Sequence, residues 1–256
     1  MKLAGRTALV TGANRGVGAA LVDALVERGA ARVFAGAREP ASLNAAVARH
    51  GDRLVPVRLD LTRPGDIAAA VARCGDVEVL VGNAGLAAYG GPLDIDEATY
   101  REVFEVNVFG PLALVRALAP ALRRQRGGVL FVNSLTGLVV SRSAPVYGAS
   151  KAATRMLALG LREQLAADGV VVTISHPGFI DTDMAADLAL PKASPRSVAE
   201  RSLDGLEAEA ATVFPDRFAE LVEAALETQA AAILAAPQRV MTSLVAEFQK
   251  DPAAGT

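Results

Sequence analysis

The sequence has very little cysteine, histidine and aromatic side chain: one Cys, two His, no Trp and 4% aromatic residues overall. A disulfide needs two cysteines, so the lone Cys74 excludes an internal one and fits a reducing compartment. So few histidine and cysteine ligands predict no metal site. Cys74 ends an Ala/Val-rich predicted helix and is interpreted as a packing residue.

The sequence also has no excess of charge of one sign, and it has no long apolar run. The 26 basic and 28 acidic side chains give a formal net charge of −2, which attracts neither nucleic acid nor an anionic membrane. The first apolar run starts at Thr7 and is broken by Gly12, unlike a signal peptide. No stretch approaches the ~20 unbroken apolar residues of a membrane span. We therefore predict a cytoplasmic protein that binds neither nucleic acid nor membrane.

Apolar segments rich in β-branched residues alternate with longer amphipathic ones. The predicted strands are 6–11, 32–37, 54–59, 77–81, 129–133, 170–175 and a short one at 213–214. The predicted helices are 17–28, 43–49, 65–73, 97–124, 147–167, 194–209 and 216–236, with one more short helix in the tail 237–256. Continuous apolar strands are typical of a parallel sheet that is covered on both faces. The pattern predicts an α/β fold: a Rossmann-type doubly wound parallel sheet with helices on both faces.

The domain organisation is predicted to be simple. About half of the 256 residues are apolar, which is enough for one large core, and α/β folds of this size commonly stay undivided. No repeat or low-complexity linker divides the chain. We expect residues 1–256 to form one domain.

A glycine-rich turn, Thr11-Gly12-Ala13-Asn14-Arg15-Gly16-Val17-Gly18, follows the first predicted strand directly. Glycines allow a tight turn and a close approach to phosphate, while the helix N-terminus supplies N–H groups and partial positive charge. The Gly-x3-Gly-x-Gly spacing differs from the standard Gly-x-Gly-x-x-Gly, and three glycines in a turn can also be purely structural. The position between first strand and first helix favours a dinucleotide site.

The residues at the end of the second predicted strand indicate which dinucleotide the protein binds. An NAD site usually has an acidic residue there to hold the ribose 2′-OH. Here the strand ends in Ala37 and Arg38 follows. Arg38 and Arg15 could together bind a 2′-phosphate through charge-assisted hydrogen bonds; the alternative is two solvated surface arginines. The sequence predicts NADP(H) rather than NAD(H).

Tyr147 and Lys151 are four residues apart on a predicted helix, which puts both side chains on one face. A free tyrosine has a pKa of about 10, and bringing it near 7 requires ~4 kcal/mol. An ammonium ~4 Å away at an effective dielectric constant of ~20 supplies about that much. The pair is therefore a candidate acid–base catalyst, although the same spacing also occurs in surface contacts on any helix.

From about Lys2 to Met184 the chain resembles the short-chain dehydrogenase/reductase family, because several motifs occur in the right order and spacing. Besides the glycine turn and the Tyr147–Lys151 helix, the matching segments are Asp60-Leu61, Asn83-Ala84-Gly85, Asn107, Ser134 and Pro177-Gly178-Phe179-Ile180-Asp181-Thr182. The resemblance implies an oxidoreductase that moves a hydride between NADP(H) and a C=O or CH–OH group.

The resemblance also implies the catalytic roles. Tyr147 would be the acid in reduction and the base in oxidation. Lys151 would lower the pKa of Tyr147 and hold the nicotinamide ribose. Ser134 would hydrogen-bond the substrate oxygen, and Asn107 would hold a water that passes protons to Lys151.

The implied cofactor contacts cover the whole dinucleotide. Asp60 and Leu61 would meet the adenine, Asn83 the adenosine ribose, and Ile180 and Thr182 the nicotinamide carboxamide. The full expected set is Gly12, Asn14, Arg15, Gly16, Val17, Gly18, Arg38, Asp60, Leu61, Asn83, Ala84, Gly85, Tyr147, Lys151, Pro177, Gly178, Ile180 and Thr182.

The chain departs from the family pattern at several places. Asn133-Ser134 replaces a pair of serines, and Gly82 stands where the family usually has Asn. The Thr-Gly…Val-Asp-Gly-Gly segment with which many relatives end is absent, and this departure bears on the usual tetramer. The expected oligomer is therefore a homodimer or a homotetramer. His176 is interpreted as structural. Asp181 and Asp183 are interpreted as solvated or helix-capping rather than as metal ligands.

By the same resemblance the substrate would lie near 86–89, 135–140, Pro145 and 179–188, with 183–196 as a lid. These stretches are mainly apolar, and only Arg142 could swing in to meet a carboxylate. We predict an uncharged, fairly apolar ketone, aldehyde or secondary alcohol. Two alternatives remain: a non-redox member of the family, such as an epimerase or dehydratase, and a non-catalytic NADP(H)-binding sensor.

Overall fold

A parallel sheet forms the centre of the molecule. The structure is a computed structural model that describes residues 1–186 and 188–250. Within them, seven strands are arranged in the order β3-β2-β1-β4-β5-β6-β7, so the direction of winding reverses between β1 and β4. The strands are β1 (Thr7–Thr11), β2 (Arg32–Ala37), β3 (Leu54–Arg58), β4 (Val79–Gly82), β5 (Gly128–Val132), β6 (Val171–Ser175) and β7 (Thr212–Val213).

Helices cover both faces of the sheet, as the doubly wound prediction requires. They are α1 (Gly16–Glu27), α2 (Asn44–His50), α3 (Pro64–Cys74), α4 (Glu97–Phe104), α5 (Gly110–Gln125), α6 (Pro145–Ala166), α7 (Pro195–Glu207), α8 (Arg217–Thr228), α9 (Ala230–Ala235) and α10 (Pro237–Phe248). One apolar layer joins α1 and α7 to the sheet, and a second joins α3, α5 and α6 to the opposite face. Cys74 is buried in the second layer, where burial raises the pKa of its thiol to about 12. It packs, as predicted.

The helix predicted over 97–124 is not continuous. A π turn at Glu105–Phe109 separates α4 from α5 and contains Asn107. At the start of α5, a Cβ on Gly110 would come within 2.5 Å of the Leu61 carbonyl oxygen, so only glycine allows this approach. The segment Glu97–Gln125, 29 residues with a mean hydropathy of 1.3 in its most apolar window, is long and apolar enough to cross a membrane. Here its leucines pack on the sheet.

The C-terminal region also differs from the sequence prediction. The helix predicted over 216–236 is broken at Gln229 into α8 and α9. The tail forms α10, a twelve-residue helix whose Val240, Leu244 and Phe248 are buried. Helices α8–α10 form a third apolar cluster that also takes in Leu135 and Val139. The last tail residues, 251–256, lie outside the described residues.

His176 has the structural role expected of it. It is fully buried at the end of β6 and stacks on Phe214 with the ring centroids 5.7 Å apart. Its Nδ1 lies 3.1 Å from the Ser134 carbonyl oxygen; a carbonyl only accepts, so Nδ1 carries the proton. Within the described residues Nε2 has no partner. Burial accordingly lowers the pKa of His176 to about 4.

This burial predicts a pH dependence of stability. As pH falls from about 6.5 towards 4, the imidazole of His176 becomes protonated in the unfolded chain but stays neutral in the folded protein. Because the unfolded state then binds more protons, the free energy of unfolding decreases. The loss reaches about 3 kcal/mol for the whole shift. Urea unfolding at several pH values measures it. His176→Asn should lose this part of the pH dependence, whereas His50→Asn should keep it; an unchanged slope in His176→Asn would contradict the assignment.

Candidate active site

The predicted site residues come together at the carboxyl ends of β1, β4, β5 and β6. The backbone N–H of Asn83, after β4, donates to the Thr11 hydroxyl at the end of β1 (2.9 Å). The N–H of Leu135, after β5, donates to the Pro177 carbonyl after β6 (3.1 Å). Residues far apart in sequence thus line one edge of the sheet, where ligands of such folds bind.

The glycine turn has the geometry that its sequence demands. Gly12 and Gly16 have φ angles of +62° and +54°, in the region that favours glycine. A Cβ on Gly18 would lie 2.0 Å from the Gly12 carbonyl oxygen. The turn therefore tolerates no side chain at Gly18.

The side chain of Asn83 is hydrogen-bonded to the backbone of this turn. Its side-chain amide donates to the carbonyl oxygens of Thr11 (3.0 Å) and Gly12 (3.1 Å). These two bonds fix the shape of the glycine turn. The contact of Asn83 with the adenosine ribose, which the resemblance implies, stays a prediction.

The residues present fit a dinucleotide. Arg15 is the N-cap residue of α1, and its side chain turns away to Asp183 instead of capping the helix. The N–H groups of the first turn of α1 therefore remain available to a pyrophosphate. Asn14 is exposed beside them, while Val17 is buried under the turn. Thr182 closes over Gly16, at 3.1 Å from where a Cβ would sit.

The two arginines predicted to share a 2′-phosphate have different surroundings. Arg15 forms an ion pair with Asp183 at 2.5 Å, and both side chains are at least 70% exposed. Arg38 is exposed after β2. Burial opposes ionisation of Asp60, but the hydrogen bonds from Thr62 and the charges of nearby arginines, Arg38 among them, lower its pKa overall. The charge of Arg38 thus acts on Asp60, which the resemblance places at the adenine.

The remaining expected cofactor residues divide between the core and the surface. Leu61 is buried in the second apolar layer, whereas Ala84 is half-buried and Gly85 is exposed. Ile180 pairs with Ala193 in an isolated parallel bridge. The Ala193 N–H donates to the Phe179 carbonyl (2.9 Å) and its own carbonyl accepts from the Asp181 N–H (2.9 Å). These contacts join the segment before the expected lid, 183–196, to Ala193 near its end. Asp187, within the lid, lies outside the described residues.

Ser134, Tyr147 and Lys151 form one connected group. Ser134 precedes a 3-10 turn, Leu135–Gly137. Its Oγ accepts the Thr136 N–H (3.2 Å) and the Thr136 hydroxyl (3.0 Å), and it lies close enough to Tyr147 to lower the pKa of that phenol. Tyr147 and Lys151 lie in the first turns of α6, and Lys151 Nζ is 5.6 Å from the centroid of the Tyr147 ring. Nζ also donates to the Val132 carbonyl at 3.1 Å. The helical spacing places the two side chains together, as predicted.

The electrostatics differ from the estimate made from spacing alone. Burial raises the pKa of Tyr147 to about 12, the Ser134 hydrogen bond lowers it and the nearby Tyr89 raises it. Burial lowers the pKa of Lys151 to about 8. Moving charge out of water has a cost that opposes the effect of Lys151 on the phenol. The lowering of the Tyr147 pKa by Lys151 stays a prediction.

Asn107 has a positioning role in the structure. Its Oδ1 accepts the Leu86 N–H (2.8 Å), and its Nδ2 donates to the Leu86 carbonyl (2.9 Å) and the Ser150 hydroxyl (2.8 Å). Ser150 in turn donates to the Tyr147 carbonyl at 2.7 Å. The π turn that carries Asn107 thus joins the loop after β4 to α6. The water-holding role that the resemblance implies stays a prediction.

Sequence reasoning missed two residues behind the site. Asn133, noted only as a replacement for serine, donates from Nδ2 to the Lys151 carbonyl at 3.1 Å. Asp216 is buried and accepts the Gly178 N–H at 2.7 Å. The sequence shows Asp216 at the start of a predicted helix, where a capping residue is expected. It does not show that Asp216 contacts Gly178, 38 residues earlier in the chain. In the described part of the chain, no group of three or more His, Cys, Asp or Glu is placed to hold a metal ion.

An apolar rim surrounds the expected substrate site. The exposed large apolar residues there are Tyr89, Val140, Met184 and Leu188. The Tyr89 hydroxyl donates to the Met184 carbonyl at 2.7 Å, which connects the loop after β4 to the expected lid. A cavity of about 310 Å³ is lined by residues 136–141 and by Pro145, Gly148, Ala149 and Ala152. Its lining includes most of the stretch 135–140 and Pro145, where the substrate is expected.

Known proteins resemble the chain in both sequence and structure. A crystal structure of a short chain dehydrogenase from Burkholderia cenocepacia in complex with NADP is 37% identical, superposes with a TM-score of 0.87, and the match covers 92% of this chain and 98% of that one. The cis-4-hydroxycyclohexanecarboxylate dehydrogenase of Sinomonas cyclohexanicum is 37% identical over 72% of this chain and 76% of its own. The L-fucose dehydrogenase of Rattus norvegicus is 31% identical over 77% and 74%.

The family assignment rests on the sequence profile as well as on these relatives. Residues 6–192 match the profile of the short chain dehydrogenase family, which includes the glycine turn, Ser134, Tyr147 and Lys151. The segment beyond residue 192, with α7–α10, lies outside that match. The chain belongs to the short-chain dehydrogenase/reductase family, and it is an oxidoreductase of CH–OH and C=O groups with a single Rossmann-type domain.

Proposed function

We propose that this protein is an NADP(H)-dependent oxidoreductase of an uncharged, fairly apolar ketone, aldehyde or secondary alcohol, with Tyr147 as the acid or base. One observation carries the proposal: the Ser134 hydroxyl lies close enough to the Tyr147 hydroxyl to lower the pKa of the phenol, and Lys151 Nζ lies 5.6 Å from the centroid of the Tyr147 ring. A carbonyl oxygen that meets these two hydroxyls receives a hydrogen bond from each. That is the arrangement that proton transfer to the oxygen requires.

The cofactor supplies or accepts the hydride, and the protein binds, orients and moves protons. The glycine turn and the N-terminus of α1 would hold the pyrophosphate, and Arg38 beside Asp60 the adenosine phosphate. Lys151 would reach the nicotinamide ribose. Two observations support NADP(H) over NAD(H): no acidic residue ends β2, and a related structure contains NADP.

Each catalytic side chain has one task. Tyr147 donates its phenolic proton to the substrate oxygen in reduction and takes it back in oxidation. Ser134 orients that oxygen. Lys151, with a pKa near 8, is largely protonated at neutral pH, so its charge favours the phenolate.

The apolar rim supports the proposed substrate class. Apolar side chains bind apolar surface through the hydrophobic effect, and the rim around Tyr89 and Met184 offers such surface. The relatives from Sinomonas and Rattus are, by their names, dehydrogenases of a hydroxycyclohexanecarboxylate and of L-fucose; the names support reaction at a CH–OH group but not the apolar character of the substrate. Arg142 is exposed and remains the nearest candidate for a carboxylate.

The alternatives are a non-redox family member and a non-catalytic NADP(H)-binding sensor. A non-redox enzyme consumes no NADPH overall, so turnover separates it. A sensor does not need the connected group Ser134–Tyr147–Lys151, which this chain keeps.

Three further expectations stay predictions: a cytoplasmic location, a homodimer or homotetramer, and the lid at 183–196. The exposed apolar residues Phe109, Met156 and Leu157 support association along α5 and α6, since exposed apolar patches mark interfaces.

NADPH oxidation followed at 340 nm against apolar ketones and aldehydes tests the function. Tyr147→Phe removes only the hydroxyl that donates the proton, so kcat should fall at least ~10²-fold. Tyr100→Phe removes a hydroxyl that bonds the Pro92 carbonyl away from the site, and should leave kcat near wild type. Tight NADPH binding without turnover of any carbonyl would refute the redox proposal and favour the non-redox or sensor reading.

A charge reversal tests the cofactor choice. Arg38→Asp places an acid at the end of β2, so the KM for NADPH should rise at least ~10-fold while the KM for NADH falls. Arg32→Asp changes an exposed arginine at the opposite end of the same strand and should preserve the preference. If wild type prefers NADH, or if Arg38→Asp leaves the ratio unchanged, the assignment of Arg38 is wrong.

A further inference from the structure

Asp216 is a buried carboxylate that the proposed mechanism does not use. Its side chain is 3% exposed. One oxygen, Oδ1, accepts the Ala219 N–H at 2.9 Å and so caps the start of α8. The other, Oδ2, accepts the Gly178 N–H at 2.7 Å. A single carboxylate thus fastens a C-terminal helix to the turn that follows β6.

That turn is directly connected to the catalytic serine. The Pro177 carbonyl, next to Gly178, accepts the Leu135 N–H at 3.1 Å, and Leu135 follows Ser134. The packing is close: a Cβ on Gly178 would lie 2.9 Å from both Asp216 Oδ1 and Phe218 Cδ1. Displacement of Gly178 would therefore be transmitted to the loop that carries Ser134.

Aromatic rings reinforce the same connection. Phe218, in the first turn of α8, stacks on Phe179 with centroids 4.8 Å apart. Its other neighbour is Phe248 of α10, at 5.1 Å. Leu135 belongs to the same apolar cluster. The C-terminal helices consequently pack on the back of both segments that carry Ser134 and Phe179.

We propose that Asp216 is a positioning residue for the reaction, which makes α8–α10 part of the wall of the active site. Two N–H groups converge on it, and only a carboxylate offers two acceptor oxygens without a donor. The inference rests on the proposed function, because that function assigns Ser134 and the turn at Pro177–Thr182 to the reaction. Asp216 itself acts through Gly178 and does not touch the substrate.

Asp216→Asn isolates the contact with Gly178. Asparagine caps helices about as well as aspartate, so its one oxygen keeps the cap while its NH₂ group faces the Gly178 N–H. Asp96→Asn is the matched control, because Asp96 caps α4 by accepting the Thr99 N–H at 2.9 Å in an exposed position. If Asp216→Asn does not fold, Asp216→Ser, which also keeps an oxygen that can cap the helix, replaces it in both measurements.

Two measurements decide the proposal. Hydrogen exchange of the protein without cofactor should be faster in Asp216→Asn than in wild type at 177–182 and 134–139, and unchanged there in Asp96→Asn. With NADPH and a carbonyl substrate, kcat should fall about tenfold or more, since small displacements of reacting groups are costly, while the KM for substrate changes less. The exchange measurement needs no turnover, so it stands even if wild type reduces no carbonyl and the proposed function fails.

The opposite results overturn the inference. Unchanged exchange at 177–182 in Asp216→Asn would mean that Asp216 does not hold the turn. Faster exchange at 177–182 with wild-type kcat would mean that Asp216 holds the turn but does not position the reacting groups, and a lower Tm with unchanged exchange and kcat would mean that it is only a helix cap. Failure of both variants to fold would make it a stability residue rather than a positioning one.

Discussion

All strands of the sheet run parallel, and the site depends on this constraint. Because every strand ends at the same edge, the segments after β1, β4, β5 and β6 must meet there. Thr11 and Asn83 then lock the ends of β1 and β4 together, and Pro177 and Leu135 do so for β6 and β5. The glycine turn and the segment after Ser134 are therefore held by the sheet itself, and residues far apart in sequence come within hydrogen-bond distance.

Burial has two opposing effects on the chemistry. It excludes water around the site, and it also disfavours charge on the groups that must titrate. It raises the pKa of Tyr147 to about 12 and lowers that of Lys151 to about 8. In the proposed mechanism the phenol would be activated by charge placed close to it, from Lys151 and from the oxidised nicotinamide ring. Under this proposal activation and cofactor binding are coupled.

The sequence predicted the elements that depend on local pattern. Strand positions agree within about two residues, and the pairing of Tyr147 with Lys151 follows from helical spacing alone. It did not predict the π turn at Asn107, since the apolar period continues through it. Nor could it predict the ion pair of Arg15 with Asp183 or the bond of Asp216 to Gly178. Those contacts join distant segments and exist only in the folded chain.

The coupling of Tyr147 activation to cofactor binding is the most direct test of the account. The chain has three tyrosines and no tryptophan, so phenolate absorbance near 295 nm can be titrated and assigned by subtracting Tyr147→Phe. The account predicts that Tyr147 forms its phenolate only at strongly alkaline pH in the free protein, and at a clearly lower pH once NADP⁺ is bound. A Tyr147 titration that NADP⁺ leaves unchanged would contradict it.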